Sequence, residues 1–398
     1  MNQPQPTGID FSLIWSSGLA SHVDRLFVPG VDLELDSFPG MMEKTLRQLS
    51  PVGEITEAFP AGELVEPYRA SDRRQIPLDG FNRHYNRLNL APRQGRFYPR
   101  GVLAGATEYV SGDIRPFRLI EVGKEWLTVD FNHPLAGYPR TIRASRAGQF
   151  AGHGQRGGAS LDIAGMLTGR GPGMQARNGG EGIAVEFPLG RPDENEDALF
   201  YAMPRMVDHI DEKAVEILKS IYSRHVTRGC RVLDIMTSWT SHLDDSIADL
   251  SVTGIGMNRE ELDANPLLSE RLLQDLNTNA ILPCDANSFD VVLCSLSVEY
   301  LTSPLDLFAE VHRVLKPGGL FINSFSERWF PTKAVTLWTE MHPFERIGMV
   351  LDYYIASGFD DLQTESVRGQ PRPDGDSYRG MSPFSDPLYV VTGRKPAA

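Results

Sequence analysis

Apolar and polar positions change rhythm partway along this chain. In the C-terminal half the apolar residues fall in short continuous runs. CRVLDIM, SVTGIGM, SFDVVLCSLSV and GGLFINSFS are apolar through their middles, as strands covered on both faces must be. Between them the spacing turns helical. Ala214, Val215, Ile217, Leu218 and Ile221 recur along DEKAVEILKSIYSRHV, and PLDLFAEVHRVL repeats the pattern. Pro317 and Gly318 in KPGG are expected to stop that second helix. Strands alternating with helices predict a doubly wound parallel α/β sheet, with its ligand site at the carboxyl ends of the strands. The N-terminal half reads differently. GEITEAF and EWLTVDF are strand-like, proline and glycine turns separate such runs, and PGMMEKTLRQL predicts one helix. That is a smaller β-rich α+β domain. Residues 152–182 are rich in glycine and short of large apolar groups. They read as a linker, or as a lid. The expected division is 20–150, a linker over 151–195, and 196–398.

Bulk composition narrows the class. The chain has 398 residues, 41% of them hydrophobic, enough for two or three globular cores. A net charge of −13 argues against a general nucleic-acid binder, which needs a basic face for phosphates. Cys230, Cys284 and Cys294 form no CxxC pair and suit a reducing compartment as small buried hydrophobes. No metal site is expected. The start, MNQPQPTGIDFSLIW, lacks a basic segment followed by an apolar one, and no run approaches the roughly 18 apolar residues that span a bilayer. A cytoplasmic protein without membrane contact is expected.

The candidate chemistry centres on VLDIMTSWTSHLDD, residues 232–245. A buried strand ends at Asp234 and opens into a loop of hydroxyls with no glycine. With RVLDIM, the long phrase LLQDLNTNAILPCDANSFDVVLCSLSVEYL and EVHRVLKPGGLFI resemble class I S-adenosylmethionine-dependent methyltransferases of the UbiE-like, or type 11, kind. The resemblance runs from about residue 200 to 395 and implies a Rossmann-like sheet with S-adenosyl-L-methionine as cofactor. It implies that Asp275 approaches the adenine with Leu276 beside it, and that Ser295, Leu296 and Ser297 border the cofactor. A turn cap is the less favoured reading of Asp275, while the serines read equally as caps of the next helix.

The chain also departs from that family. Met236, Ser238 and Thr240 stand at the family's glycine positions, and Gly256 stands where a second acid should clasp the ribose. Asn258 is a neutral substitute, two residues late. Thr237, Ser238, Thr240 and Ser241 offer hydroxyl donors to an anion, joined by the start of a following helix. SWTSHL with a later GMN resembles a subgroup of type 11 sequences from bacteria and plants. Cofactor contacts are therefore expected from Asp234, Met236, Thr237, Ser238, Asn258, Asp275, Leu276 and Ser295. Methyl transfer from a sulfonium is an in-line displacement that chiefly requires alignment. His242 is the best base, since imidazole titrates near neutrality, with Tyr201 and Glu299 near the same mouth.

Residues 39–68 and the phrase EWLTVDFNHPLAG resemble FKBP-type peptidyl-prolyl isomerases of the SlyD kind. The resemblance implies an apolar pocket for X-Pro segments, with Phe59 and Tyr68 as wall residues. The leading expectation is a methyltransferase with an FKBP-like domain for substrate capture or interaction. Its acceptor is a small molecule ahead of a peptide. The alternative is an isomerase or chaperone-like binding protein whose methyltransferase fold has lost its cofactor. A third reading is a regulator that binds the cofactor without turnover.

Overall fold

The computed structural model describes residues 7–49, 53–87, 89–149, 159–169, 171–176 and 182–397. They form two compact units. The first comprises residues up to Asp24, Gly30–Glu186 and Met341–Asp352, and the second comprises Arg25–Pro29, Phe187–Glu340 and Tyr353–Ala398.

The first unit opens with β1 (Thr7–Ser16) and β2 (Ala20–Val31), followed by α1 (Met42–Gln48) and β3 (Glu54–Phe59). Ile9, Phe11, Leu13 and Trp15 alternate inward along β1, the period of a half-buried strand. A second sheet follows, built from β4 (Arg73–Pro77), β5 (Phe97–Pro99), β6 (Pro116–Val122) and β7 (Trp126–Asp130) in the order β4-β7-β6-β5. Phe117, Leu119, Leu127 and Val129 fill its core. The chain then returns in β8 (Arg140–Gln149), which pairs antiparallel with β1 and β3. Phe59 is buried at the end of β3, whereas Tyr68 is 47% exposed.

Three boundaries differ from the sequence reading. The domain does not begin near residue 20, because β1 pairs with β8 over most of its length. Part of the expected linker is packed: in α2 (Ile163–Thr168), capped by Asp162, Ile163 and Leu167 are fully buried. The most glycine-rich stretches, 150–158 and 177–181, lie outside the described residues. Finally, 341–352 belongs with the first unit, where the Glu345 carboxylate accepts from Arg96 Nε at 3.0 Å and from the Phe97 N–H at 2.7 Å, both buried. Periodicity along the chain carries no sign of a partner 249 positions away.

The second unit is the α/β half. Its helices are α3 (Asp197–Phe200), α4 (Glu212–Ser223), α5 (Arg259–Ala264), α6 (Pro304–Val314), α7 (Thr336–Glu340) and the end of α8 (Pro343–Ala356). Its strands are β9 (Arg231–Ile235), β10 (Ser251–Gly256), β11 (Leu268–Leu273), β12 (Phe289–Ser295), β13 (Leu315–Phe325), β14 (Asp360–Arg368) and β15 (Leu388–Arg394). The order is β11-β10-β9-β12-β13-β15-β14. The first five run parallel, and β15 is antiparallel to both of its neighbours. Strand order reverses between β9 and β12, which is where such sheets open a crevice at their carboxyl ends. α6 ends at Val314, as expected, and KPGG follows after Leu315. It sits within β13, opposite a register shift on β12, and Gly318 is left-handed there at φ 75°. A bulge tolerates proline's missing N–H donor.

Candidate active site

β9 carries Asp234 to its carboxyl end, and the glycine-free loop starts two residues on. Met236 adopts a left-handed backbone with φ 56°. Glycine takes that conformation most readily, so the turn of a glycine loop persists although the residue has changed. His242 (φ 52°) and Leu296 (φ 53°) are left-handed too. Each such position costs roughly 1–3 kcal/mol and survives only where its surroundings enforce it. Here Thr237 Oγ1 donates to Asp234 at 2.6 Å, and Ser238 Oγ to Glu261 at 2.6 Å. Asn265 Nδ2 donates to the Ser238 carbonyl and the Ser241 hydroxyl at 3.1 and 3.0 Å. The hydroxyls of Thr237, Ser238 and Ser241 are therefore engaged in holding the loop, rather than held open for an anion. The helix expected after the loop is also not formed. Residues 241–250 are irregular, with Asp244 accepting from the Ser246 N–H at 2.9 Å. Asp and Ser favour such local turns over a helix.

A cavity of about 460 Å³ opens at the ends of β9, β10 and β12. That is an ordinary size for a small-ligand site. Met236, Thr237, Ser238, Asn258, Asp275, Leu276, Ser295, Tyr201 and His242 line it, whereas Asp234 and Glu299 do not. Asp234 is 1% exposed, beneath the loop it supports. Burial pushes its carboxyl up to about 7, against the opposing pull of the Thr237 and Ser241 hydroxyls. Glu299 is fully buried in a 3-10 turn at Val298–Tyr300.

The lining residues differ in how much of their chemistry remains available. Asn258 caps α5 by accepting from the Glu261 N–H at 3.1 Å, and its Nδ2 donates to the carbonyls of Tyr201 and Ala202 at 3.0 and 3.2 Å. Both amide protons are used, so Asn258 acts as a clamp on the 201–202 segment rather than as a free ligand group. Asp275 accepts from the Asn277 N–H at 2.9 Å and from the Thr278 hydroxyl at 2.8 Å, so it caps a turn while facing the cavity. Ser295 Oγ lies 2.7 Å from the Tyr222 hydroxyl, which also meets Ser324 Oγ at 2.7 Å. Burial, then the charges of His209 and Lys219, lowers His242 to about 4, leaving its imidazole neutral at pH 7. Tyr201 is held well above the usual phenol range by burial and then by the Asp197 and Glu299 charges. It remains a phenol and is no base at neutral pH.

Arg205 and Phe330, which their places in the sequence put near the site, line it as well, whereas Arg328, Asp197 and Glu261 escaped the sequence reading. Phe330 packs against Phe200, His209 and Tyr300 with ring centroids 5.3, 5.4 and 5.9 Å away. The Arg205 guanidinium lies 4.4 Å from the Phe200 ring centroid, and Arg328 lies 4.5 Å from that of Tyr378. Asp197 accepts from Arg191 at 2.9 and 2.8 Å and pairs with Lys333 at 3.1 Å. Glu261 also faces the cavity. Its sequence signal, Asn258 followed three residues later by Glu, reads as an ordinary capping box.

The cavity suits an adenosyl ligand. Met236 and Trp239 stand in its wall, and the Trp239 indole is tied to the Val207 carbonyl at 3.1 Å. The Asp275 carboxylate and the Leu276 side chain offer a polar edge and an apolar face for a base, and Glu261 adds a carboxylate.

Strand order, the reversed β15 and a cavity at the switch point define a Rossmann-like fold of the class I methyltransferase kind. Residues 238–323 match the family model described as a methyltransferase domain. Demethylmenaquinone methyltransferase of Staphylococcus epidermidis is 30% identical over 105 residues, which are 25% of this chain and 44% of that protein. The ubiquinone/menaquinone biosynthesis C-methyltransferase UbiE of Ruegeria sp. is 29% identical over 143 residues, 35% of this chain and 55% of the relative. The chain thus spans about half the length of the curated relatives it matches. A solved SAM-dependent methyltransferase of Thermotoga maritima, described as a possible histamine N-methyltransferase, aligns with a TM-score of 0.35 at 15% identity, over 46% of this chain and 89% of its own. The second unit carries a methyltransferase domain, whose cofactor is S-adenosyl-L-methionine.

Proposed function

We propose that the chain transfers a methyl group from S-adenosyl-L-methionine to a small acceptor bound in the 460 Å³ cavity. One observation carries this reading: Met236 keeps a glycine-like backbone at the end of β9, and no side chain fills the cavity beside it. When bound, the cofactor supplies an electrophilic methyl group. The chain supplies position. Asp275 and Leu276 are assigned to the adenine, and Ser295 with the Met236–Ser238 backbone to the border of the cofactor. Asp234 and Asn258 act one layer back, the first by holding the loop and the second by holding the 201–202 strap. His242 is the neutral base for an acceptor that carries a proton. Tyr201 forms part of the wall and Glu299 lies behind it. Aromatic rings and two arginines on the remaining wall favour a planar small molecule over an extended peptide.

The FKBP-like reading of the first unit rests on its order. Two strands, a helix and a third strand precede an inserted sheet, and a final strand then closes the first sheet between β1 and β3. Its proposed role is capture of the substrate or of a partner. Isothermal calorimetry of the full chain tests the enzyme reading. Binding of S-adenosylmethionine and S-adenosylhomocysteine in the micromolar range is expected. No heat from either ligand at millimolar concentration would leave only the binding-protein alternative.

A further inference from the structure

We propose that Glu261 holds the ribose of the cofactor, in place of the acid that the end of β10 lacks. The assignment rests on the methyltransferase reading above. At Gly256 the acid is not simply missing. A β-carbon there would run into the Thr237 carbonyl oxygen and come within 3.0 Å of Leu262 Cδ2, so backbone occupies the place of a side chain. The strand end therefore has no room for a carboxylate, and one must arrive from elsewhere.

Glu261 arrives from the first turn of α5. It is 8% exposed and lines the cavity. Its Oε1 accepts from the Arg205 N–H at 2.7 Å, and its Oε2 accepts from Ser238 Oγ at 2.6 Å. A carboxylate offers about four lone-pair positions. Two are taken by these donors, one on each oxygen, which fixes the orientation of the group. One acceptor position per oxygen remains, enough to accept from both hydroxyls of a vicinal diol.

Of the other acidic and amide groups in the lining, Asp208 is exposed and the rest are committed. Asp197 is saturated by Arg191, Asn277 and Lys333. Asp275 caps its own turn and is assigned to the adenine, and Asn258 has spent both amide protons on the 201–202 carbonyls. Glu261 alone combines burial with purely neutral protein donors. Its tether to Ser238 also links the diol site to the loop, so one carboxylate joins both flanks of the cavity.

Calorimetry of the full chain with two ligands separates this idea from the broader one. S-adenosylhomocysteine carries both ribose hydroxyls, and its 2′,3′-dideoxy analogue carries neither. Glu261→Gln is expected to weaken the first by about tenfold or more, as loss of a charged acceptor does. The dideoxy analogue should bind wild type and Glu261→Gln alike, within about twofold. Ser238→Ala removes one tether and leaves the carboxylate. It should weaken S-adenosylhomocysteine by about threefold, again with no effect on the analogue, and it decides the matter if Glu261→Gln fails to fold. Equal weakening of both ligands, or unchanged binding of S-adenosylhomocysteine, overturns the assignment to Glu261. A wild-type chain that binds neither ligand overturns the methyltransferase reading itself.

Discussion

The backbone carbonyl of Thr237 lies against Gly256 and fills the space where a side chain at 256 would stand. Two departures from the family pattern are thus one feature. The loop after β9 lies against the end of β10, so this loop path and a side chain at 256 exclude each other. Restoring the family's acid with Gly256→Asp should destabilise the chain by about 1–3 kcal/mol through overpacking and should not tighten S-adenosylhomocysteine. Chemical denaturation with parallel calorimetry checks both, and a tighter-binding, stable variant would refute the coupling.

Met236 sits at φ 56°, where a β-branched residue is strained. Met236→Ile should cost about 1–2 kcal/mol. Met236→Gly should be neutral or slightly stabilising, because relief of strain offsets the added freedom of the unfolded chain. Thermal melts should therefore show a lowered midpoint for Met236→Ile and an unchanged or raised one for Met236→Gly, and identical shifts would remove the strain argument.

Asp234 titrates at about 7 in the folded chain, against a usual value near 3.8. Between those values the folded state holds a proton that the unfolded state has released, so stability falls as pH rises through that window. Asp234→Asn removes the titration. Its stability relative to wild type should grow from pH 5 to pH 8, by about 1.4 kcal/mol per unit at most. Urea unfolding at several pH values reads this directly. Parallel profiles would show that burial does not govern the group.

His242 has the opposite sign. Its folded value is lowered to about 4 from 6.5, so the unfolded chain gains a proton first on acidification. Stability should fall as pH drops from about 6.5 toward 4. His242→Asn, which tolerates the left-handed backbone and carries no charge, should flatten that decline. Proton NMR of the ring should show no titration near 6.5.

Asn258→Ala removes a helix cap and two bonds to the 201–202 carbonyls. A loss of about 1–2 kcal/mol is expected, with weaker S-adenosylhomocysteine binding as the strap loosens. Asn258→Asp retains the cap but not the two donors. It should recover stability only in part, and full recovery of both properties would show that the strap is held by other contacts.

The strands and helices of the second unit were legible because each carries its own signal. The apolar runs that became β9, β10 and β12, and the helical spacing of α4 and α6, are local patterns. The region of the site was legible too, since strand ends at a switch point follow from chain order. KPGG was legible as the stop of α6, which ends at Val314, but not as the bulged start of β13, because a proline and glycines mark either. The hydroxyls of Ser238 and Ser241 misled because their partners, Glu261 and Asn265, lie more than twenty residues further on.

By itself the sequence determined the α/β alternation, the strand that ends at Asp234 and the phrases that carry the methyltransferase resemblance, all of which depend on neighbours within a few turns. Only the tertiary structure decided that Asn258 is a clamp, that Glu261 faces the cavity and that residues 341–352 join the first unit. Those outcomes depend on which donors meet which acceptors across the fold, and a buried polar group takes whatever partner packing brings to it.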